Sequence, residues 1–184
     1  MTSQNNAPPP ETTLYTNGVH ILMDIITTDS IKDAVEFILK QNYEKQKKSK
    51  LQLLVCSDGG DMNAAFALID VMKSCKIPIN TVGLGTIGSA GLLIFMAGAY
   101  RTLTPNTSIL SHQWSWGAHG KEHELFAQMK EYELPTKRMM AHYKKCTGLK
   151  EKEIREYLLP PEDVWLNASE AKKLGICDAV RSTY

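Results

Sequence analysis

Apolar and polar positions along this chain change period every ten to fifteen residues or so, and each change marks an element. Val19-His20-Ile21-Leu22-Met23 is mostly apolar over a short run and predicts a strand. Beyond it Ile31, Ala34, Val35, Ile38 and Leu39 recur at helical spacing, with Ser30 placed to cap the helix start. Leu51-Gln52-Leu53-Leu54-Val55-Cys56 is almost continuously apolar, the pattern of a strand buried on both faces of a parallel sheet. It runs into Ser57-Asp58-Gly59-Gly60-Asp61, after which Ala64 to Met72 resumes a helical period. Ile79 to Gly83 predicts a further strand, and Ser89 opens a helix reaching about Ala99.

The second half is more broken. Thr102-Leu103-Thr104 and Ser108-Ile109-Leu110-Ser111 predict short strands around a turn at Pro105-Asn106. Glu122 to Tyr143 predicts a long helix, with Leu125, Met129, Tyr132, Met139 and Met140 apolar among many charges and Pro135 expected to kink or break it. Glu151 to Leu159 predicts another helix, Ser169 to Leu174 a short one ending at Gly175, and Ile176 to Val180 a last strand. Strands alternating with helices imply an α/β fold around a largely parallel sheet with right-handed crossovers. Residues 1–13, rich in Thr, Asn and Pro, are expected to be a flexible segment, leaving 14–184 as a single domain without internal repeats.

Composition narrows the function classes. The 184 residues carry a net charge of +1, which offers no electrostatic argument for nucleic acid or an acidic membrane. The basic run Lys45-Gln46-Lys47-Lys48-Ser49-Lys50 reads as a solvated loop before a buried strand. Cys56, Cys75, Cys146 and Cys177 show no CxxC spacing, so neither a zinc site nor a disulfide framework is indicated, and a reducing, cytoplasmic setting is expected. Met1 to Glu11 has no apolar stretch of the secretory kind, and Leu92 to Ala99 is too short to span a bilayer.

The candidate chemistry centres on Thr86-Ile87-Gly88-Ser89-Ala90-Gly91-Leu92. Here a serine stands between glycines where an apolar strand becomes an apolar helix. Small flanks let a carbonyl carbon reach Oγ, and the first amides of the helix point outward unpaired. A tight turn needing small residues for packing would look the same. A serine nucleophile needs a base and a group that orients the base. His112 ends an apolar strand, where an imidazole can project into a cleft. His119 and His123 suit solvent, while His20 lies in a strand and His142 on a polar helix face. Asp163, fixed by Pro160-Pro161 and preceding the apolar pair Val164-Trp165 expected to be buried, is the candidate carboxylate. His112 could equally be satisfied structure and Asp163 a turn cap. No spacing rule joins the three.

From about Leu14 to Val180 the order of elements resembles the proteolytic subunit of Clp, an ATP-dependent, self-compartmentalised serine protease. Ser57-Asp58-Gly59-Gly60 resembles its glycine-rich loop, and Ile87-Gly88-Ser89-Ala90-Gly91 its nucleophile turn. Pro105-Asn106-Thr107-Ser108 to His112-Gln113 resembles its Pro-Asn-Ser…His-Gln segment. Glu162-Asp163-Val164-Trp165-Leu166 to Asp178 resembles its Arg-Asp-x-Phe-Leu-x-Ala…Glu-Ala…Gly-Leu-x-Asp tail.

The resemblance implies a Clp/crotonase-like α/β fold with repeated ββα units and a protruding handle helix from Glu122. It implies Ser89 as nucleophile, His112 as general base then acid, Asp163 as its orienting partner, and the Gly60 and Ala90 amides as oxyanion hole. It also implies peptide or unfolded-protein substrates, heptameric rings stacked in pairs, an AAA+ unfoldase as partner, and no metal or organic cofactor. The segment from Gln113 to Gly120 would pair with extended substrate.

The chain departs from the family pattern in four places. The link between Ala99 and Thr102 is shorter than usual, Trp114 stands where proline is usual, Asp58 replaces proline before the glycines, and the N-terminal segment does not match the family's pore loops. Two rival readings follow: a catalytically silent or regulatory ring subunit, and a crotonase-fold acyl-CoA hydratase or hydrolase. The second would not need Ser89, His112 and Asp163 together.

Overall fold

Leu51, Leu53 and Val55 are buried on one face of their strand and Leu54 on the other, which a strand meets only in the middle of a covered sheet. The structure, a computed structural model, describes residues 13–45, 48–115, 117 and 119–182. The flexible segment expected at 1–13 therefore lies outside the described residues except for Thr13, as do Gln46 and Lys47 of the basic run. In chain order the elements are β1 (Val19–Leu22), α1 (Thr28–Tyr43), β2 (Leu51–Ser57), α2 (Met62–Ser74), β3 (Ile79–Gly88), α3 (Ser89–Met96), β4 (Arg101–Leu103), β5 (Ser108–Ser111), α4 (Glu122–Thr147), α5 (Glu151–Tyr157), β6 (Val164–Asn167), α6 (Ala168–Lys173) and β7 (Ala179–Val180).

The main sheet runs β1-β2-β3-β4-β7 and is parallel throughout. The ten-residue strand β3 serves two neighbours. Its first half pairs with β4 through Thr81–Gly83, and its second half pairs with β5 through Thr86–Gly88. Gly85, at φ 59, bends the strand between the two, and the β2–β3 register shifts so that Ser57 lies beside Ile87. That fork carries the end of β3, and with it Ser89, out beside β5. The antiparallel strand β6 closes this smaller arm against β5.

One apolar cluster, including Leu53, Val55, Ile69, Ile87, Leu92, Phe95, Ile109, Tyr143, Ile154 and Leu158, runs from the sheet to the second half of α4. Each such side chain, fully buried, contributes on the order of 1.5–3 kcal/mol. Arg101 ties the far edge. Its guanidinium bonds Asp178 at 2.7 Å and 3.1 Å and the Cys146 and Gly175 carbonyls at 2.8 Å and 3.0 Å, joining β4 to the ends of α4 and α6. Burial pushes the Asp178 carboxyl up, but the hydrogen bonds and charge of Arg101 outweigh it and hold it below the usual range.

Several expectations shift. Thr27, not Ser30, caps α1: the Thr27 hydroxyl accepts from the Ser30 amide at 3.0 Å, and the Ser30 hydroxyl accepts from the Thr27 amide at 2.9 Å. Leu39 is exposed, and Phe37 takes the core position instead. Helix α3 stops at Met96, short of Ala99, and α4 runs without a break through Pro135. The final strand is only Ala179–Val180. Val164–Asn167 forms a strand that periodicity did not reveal. Because β6 is an edge strand, Trp165 faces outward and is 59% exposed, contrary to the burial expected of it, while Val164 and Leu166 face inward. His142, read as lying on a polar face, is buried, because the last turns of α4 lie against α3.

Candidate active site

Two strand-to-helix turns meet at Ser89. Gly59 at φ 115 and Gly60 at φ 142 take the β2–α2 turn through backbone space closed to other residues. The turn lies so close that a Cβ on Gly59 would come within 2.6 Å of the Ser89 Cβ, and one on Gly60 would overlap the Ile26 carbonyl. The loop is held rigid from outside. The Ile26 amide donates to the Gly59 carbonyl and the Asp61 amide to the Ile26 carbonyl, each at 2.7 Å. Ser89 is the only non-glycine residue with positive φ, at 49°, among the described residues. A side chain held there is presented on a strained, sharply turned backbone, which natural folds retain mainly at functional positions.

His112 follows β5 directly, and strand pairing decides its partner. Ser111 is registered with Val164 in the antiparallel β5–β6 ladder, so the next residues outward, His112 and Asp163, fall opposite one another. His112 Nδ1 and Asp163 Oδ1 lie 3.9 Å apart, within ion-pair range and longer than a hydrogen bond. The imidazole is 25% exposed and the carboxylate 64%.

Gly60, Ser89, Ala90 and His112 line one end of a cleft of about 280 Å³, and Leu93, Trp114, Pro135 and Met139 form an apolar wall. The volume is close to the lower end of small-molecule pockets and suits one or two side chains of an extended ligand. Ala90 lies in the first turn of α3, where amides have no intrahelical acceptor, so the cleft joins a hydroxyl, an imidazole and outward-pointing backbone donors. Asp163 lies beside His112 and is not among the residues that line the cleft.

The residues themselves pointed to Ser89 and His112 at the polar end, and the family resemblance added Gly60 and Ala90. Neither revealed the wall contributed by α4. Pro135 was visible only as a helix breaker, and nothing in spacing ties a residue of α4 to a turn so far upstream. Trp114 stacks on Tyr132 with ring centroids 4.9 Å apart, and its indole N–H donates to Thr136 Oγ1 at 3.0 Å, so its place in the wall is fixed. Asp58, a further departure, is an exposed residue of the β2–α2 turn. Among the described residues no group of three or more His, Cys, Asp or Glu could hold a metal ion. Nor is any helix among them long and apolar enough to cross a membrane.

The forked parallel sheet and the serine at its strand-to-helix turn define a chain of the α/β class with a hydroxyl-centred cleft. The family model for Clp protease matches residues 9–183, and the chain belongs to that family. It is 29% identical over 160 residues to the ATP-dependent Clp protease proteolytic subunit 3, chloroplastic, of Arabidopsis thaliana, covering 86% of this chain and 50% of that protein. It is 29% identical over 157 residues to proteolytic subunit 2 of Treponema pallidum, covering 83% and 78% of the two chains. To the proteolytic subunit of Deinococcus radiodurans it is 31% identical over 140 residues, covering 72% and 65%. The chain thus spans about half the length of the chloroplast relative and more of the bacterial ones.

Proposed function

We propose that this chain is a serine endopeptidase of the Clp type. Ser89 attacks the scissile carbonyl while His112 takes its proton, and His112 then returns a proton to the leaving amine. The Gly60 and Ala90 amides hold the tetrahedral oxyanion, and water hydrolyses the acyl-enzyme by the same route in reverse. Asp163 orients His112. The observation that carries the reading is the β5–β6 register, which sets His112 opposite Asp163 at the edge of the cleft that holds Ser89. Substrates are peptides or unfolded proteins, processed inside two stacked heptameric rings and supplied by an AAA+ unfoldase in the cytoplasm.

The 3.9 Å gap between His112 and Asp163 favours a second reading, a ring subunit whose triad is silent or is drawn together only on assembly. Treatment of the purified protein with a fluorophosphonate probe, followed by intact mass, separates the two. A single adduct that is lost in Ser89→Ala and in His112→Ala is expected of the peptidase. A folded assembly that takes no adduct puts the silent subunit first.

A further inference from the structure

We propose that Ser111 is a positioning residue for the candidate triad, holding both ends of the loop that carries Asp163 against the strand that carries His112. The proposal rests on the peptidase reading and deepens it. His112 lines the cleft, and its two neighbours, Ser111 and Gln113, do not. Both are hydrogen-bonded to successive carbonyls of one segment. Ser111 Oγ donates to the Leu158 carbonyl at 2.6 Å, and Gln113 Nε2 donates to the Leu159 carbonyl at 3.0 Å. From there Pro160-Pro161-Glu162 leads to Asp163 with little freedom, because each proline fixes its own φ. The loop then returns to Ser111, whose place in the β5–β6 ladder is opposite Val164. One residue thus closes the loop at both ends, by its side chain at Leu158 and through its strand pairing at Val164.

A third group completes the arrangement. The Tyr143 hydroxyl lies 2.8 Å from Ser111 Oγ. Ser111 has one hydroxyl hydrogen and gives it to Leu158, so Tyr143 is the donor, and the chain runs Tyr143 O–H to Ser111 O–H to the Leu158 carbonyl. Ser111 is fully buried and Tyr143, which also lines the cleft, is 2% exposed, so losing either hydroxyl leaves a buried partner short of a hydrogen bond. Burial pushes the Tyr143 phenol up to about 12, which keeps its proton available for donation. The network runs from α4 through β5 to the end of α5. A buried hydroxyl at a strand end has no packing advantage over an aliphatic side chain of the same size. Its use here is to fix a geometry.

The test compares Ser111→Ala and Tyr143→Phe with wild type in three measurements: the rate of fluorophosphonate labelling at Ser89, kcat and KM for a fluorogenic peptide, and amide exchange over 162–166. With the thermal midpoint confirming a folded protein, labelling and kcat are expected to fall about 10- to 100-fold in Ser111→Ala with KM unchanged. Tyr143→Phe is expected to show a smaller fall. A folded Ser111→Ala protein labelled at the wild-type rate overturns the proposal. If Ser111→Ala does not fold, amide exchange over 162–166 in Tyr143→Phe decides, since Tyr143 also lines the cleft and its labelling rate would mix two effects: faster exchange supports the proposal and unchanged exchange overturns it. Wild-type protein that takes no label overturns the peptidase reading instead. The loop claim then stands if exchange over 162–166 is faster in Ser111→Ala and falls if it is unchanged.

Discussion

Ser89 and Gly60 illustrate what single residues contribute here. At φ 49 Ser89 carries a conformation that costs an L-residue on the order of 1 kcal/mol or more, and the neighbouring turn leaves no room for a Cβ on Gly59 beside it. In the proposed mechanism Gly60 supplies an oxyanion amide, and its backbone fits there because it has no Cβ to collide with the Ile26 carbonyl. Gly60→Ala is therefore expected to move that donor and lower kcat/KM about 10²- to 10³-fold, read with a fluorogenic peptide on protein of native circular dichroism. An unchanged rate would remove Gly60 from the proposed oxyanion hole. Trp114 acts at the same scale: its indole, stacked on Tyr132 and bonded to Thr136, is an anchored part of the cleft wall.

Helix α4 is the element on which packing and site depend together. Its last turns are buried against α3. His142 donates from Nε2 to the Leu93 carbonyl at 2.8 Å, so that nitrogen carries the hydrogen, and its ring meets Phe66 edge-on. Burial, with Lys73, Lys145 and Arg101 adding to it against the Leu93 bond, lowers its pKa from 6.5 to about 4. The folded state thus resists a proton that the unfolded chain accepts. Stability is whole above about pH 6.5 and declines by about 3 kcal/mol as pH falls toward 4. Urea titrations across this range should show that decline in wild type and lose most of it in His142→Gln. Equal slopes in the two proteins would assign the acid sensitivity elsewhere. Because Leu93 belongs to the cleft wall, the same contact steadies one side of the site.

Across the whole molecule the first half of α4 leaves Leu125, Phe126 and Met129 exposed at 37%, 70% and 53%, an apolar strip on a charged helix. In the proposed assembly this strip meets its counterpart on the opposite ring. Phe126→Glu is then expected to shift the sedimenting species from the paired ring to a smaller one, while the thermal midpoint of the subunit stays within a few degrees. An unshifted species would place the ring contact elsewhere.

Much of the fold was legible from local pattern. Helical spacing in α2 and α4, the continuous apolar run of β2 and the glycine turns beside Ser89 all arise from neighbours within a few residues, so sequence alone shows them. Ser89 and His112 could be singled out because turn chemistry and strand ends are local as well, whereas Gly60 and Ala90 were assigned by the family resemblance. What joins them is not local. The fork in β3 depends on Gly85 and on a register shift against β2, and only pairing across that fork sets β5 next to the serine turn. His112 meets Asp163 because β5 and β6 pair antiparallel, and β6 itself was hidden, since an edge strand of four residues with a half-exposed face has too little periodicity to detect. The exposure of Trp165 and the burial of His142 were misjudged for the same reason. Burial depends on which element lies alongside, and a side chain's partners across a sheet or between helices are set by pairing and packing that no stretch of sequence contains.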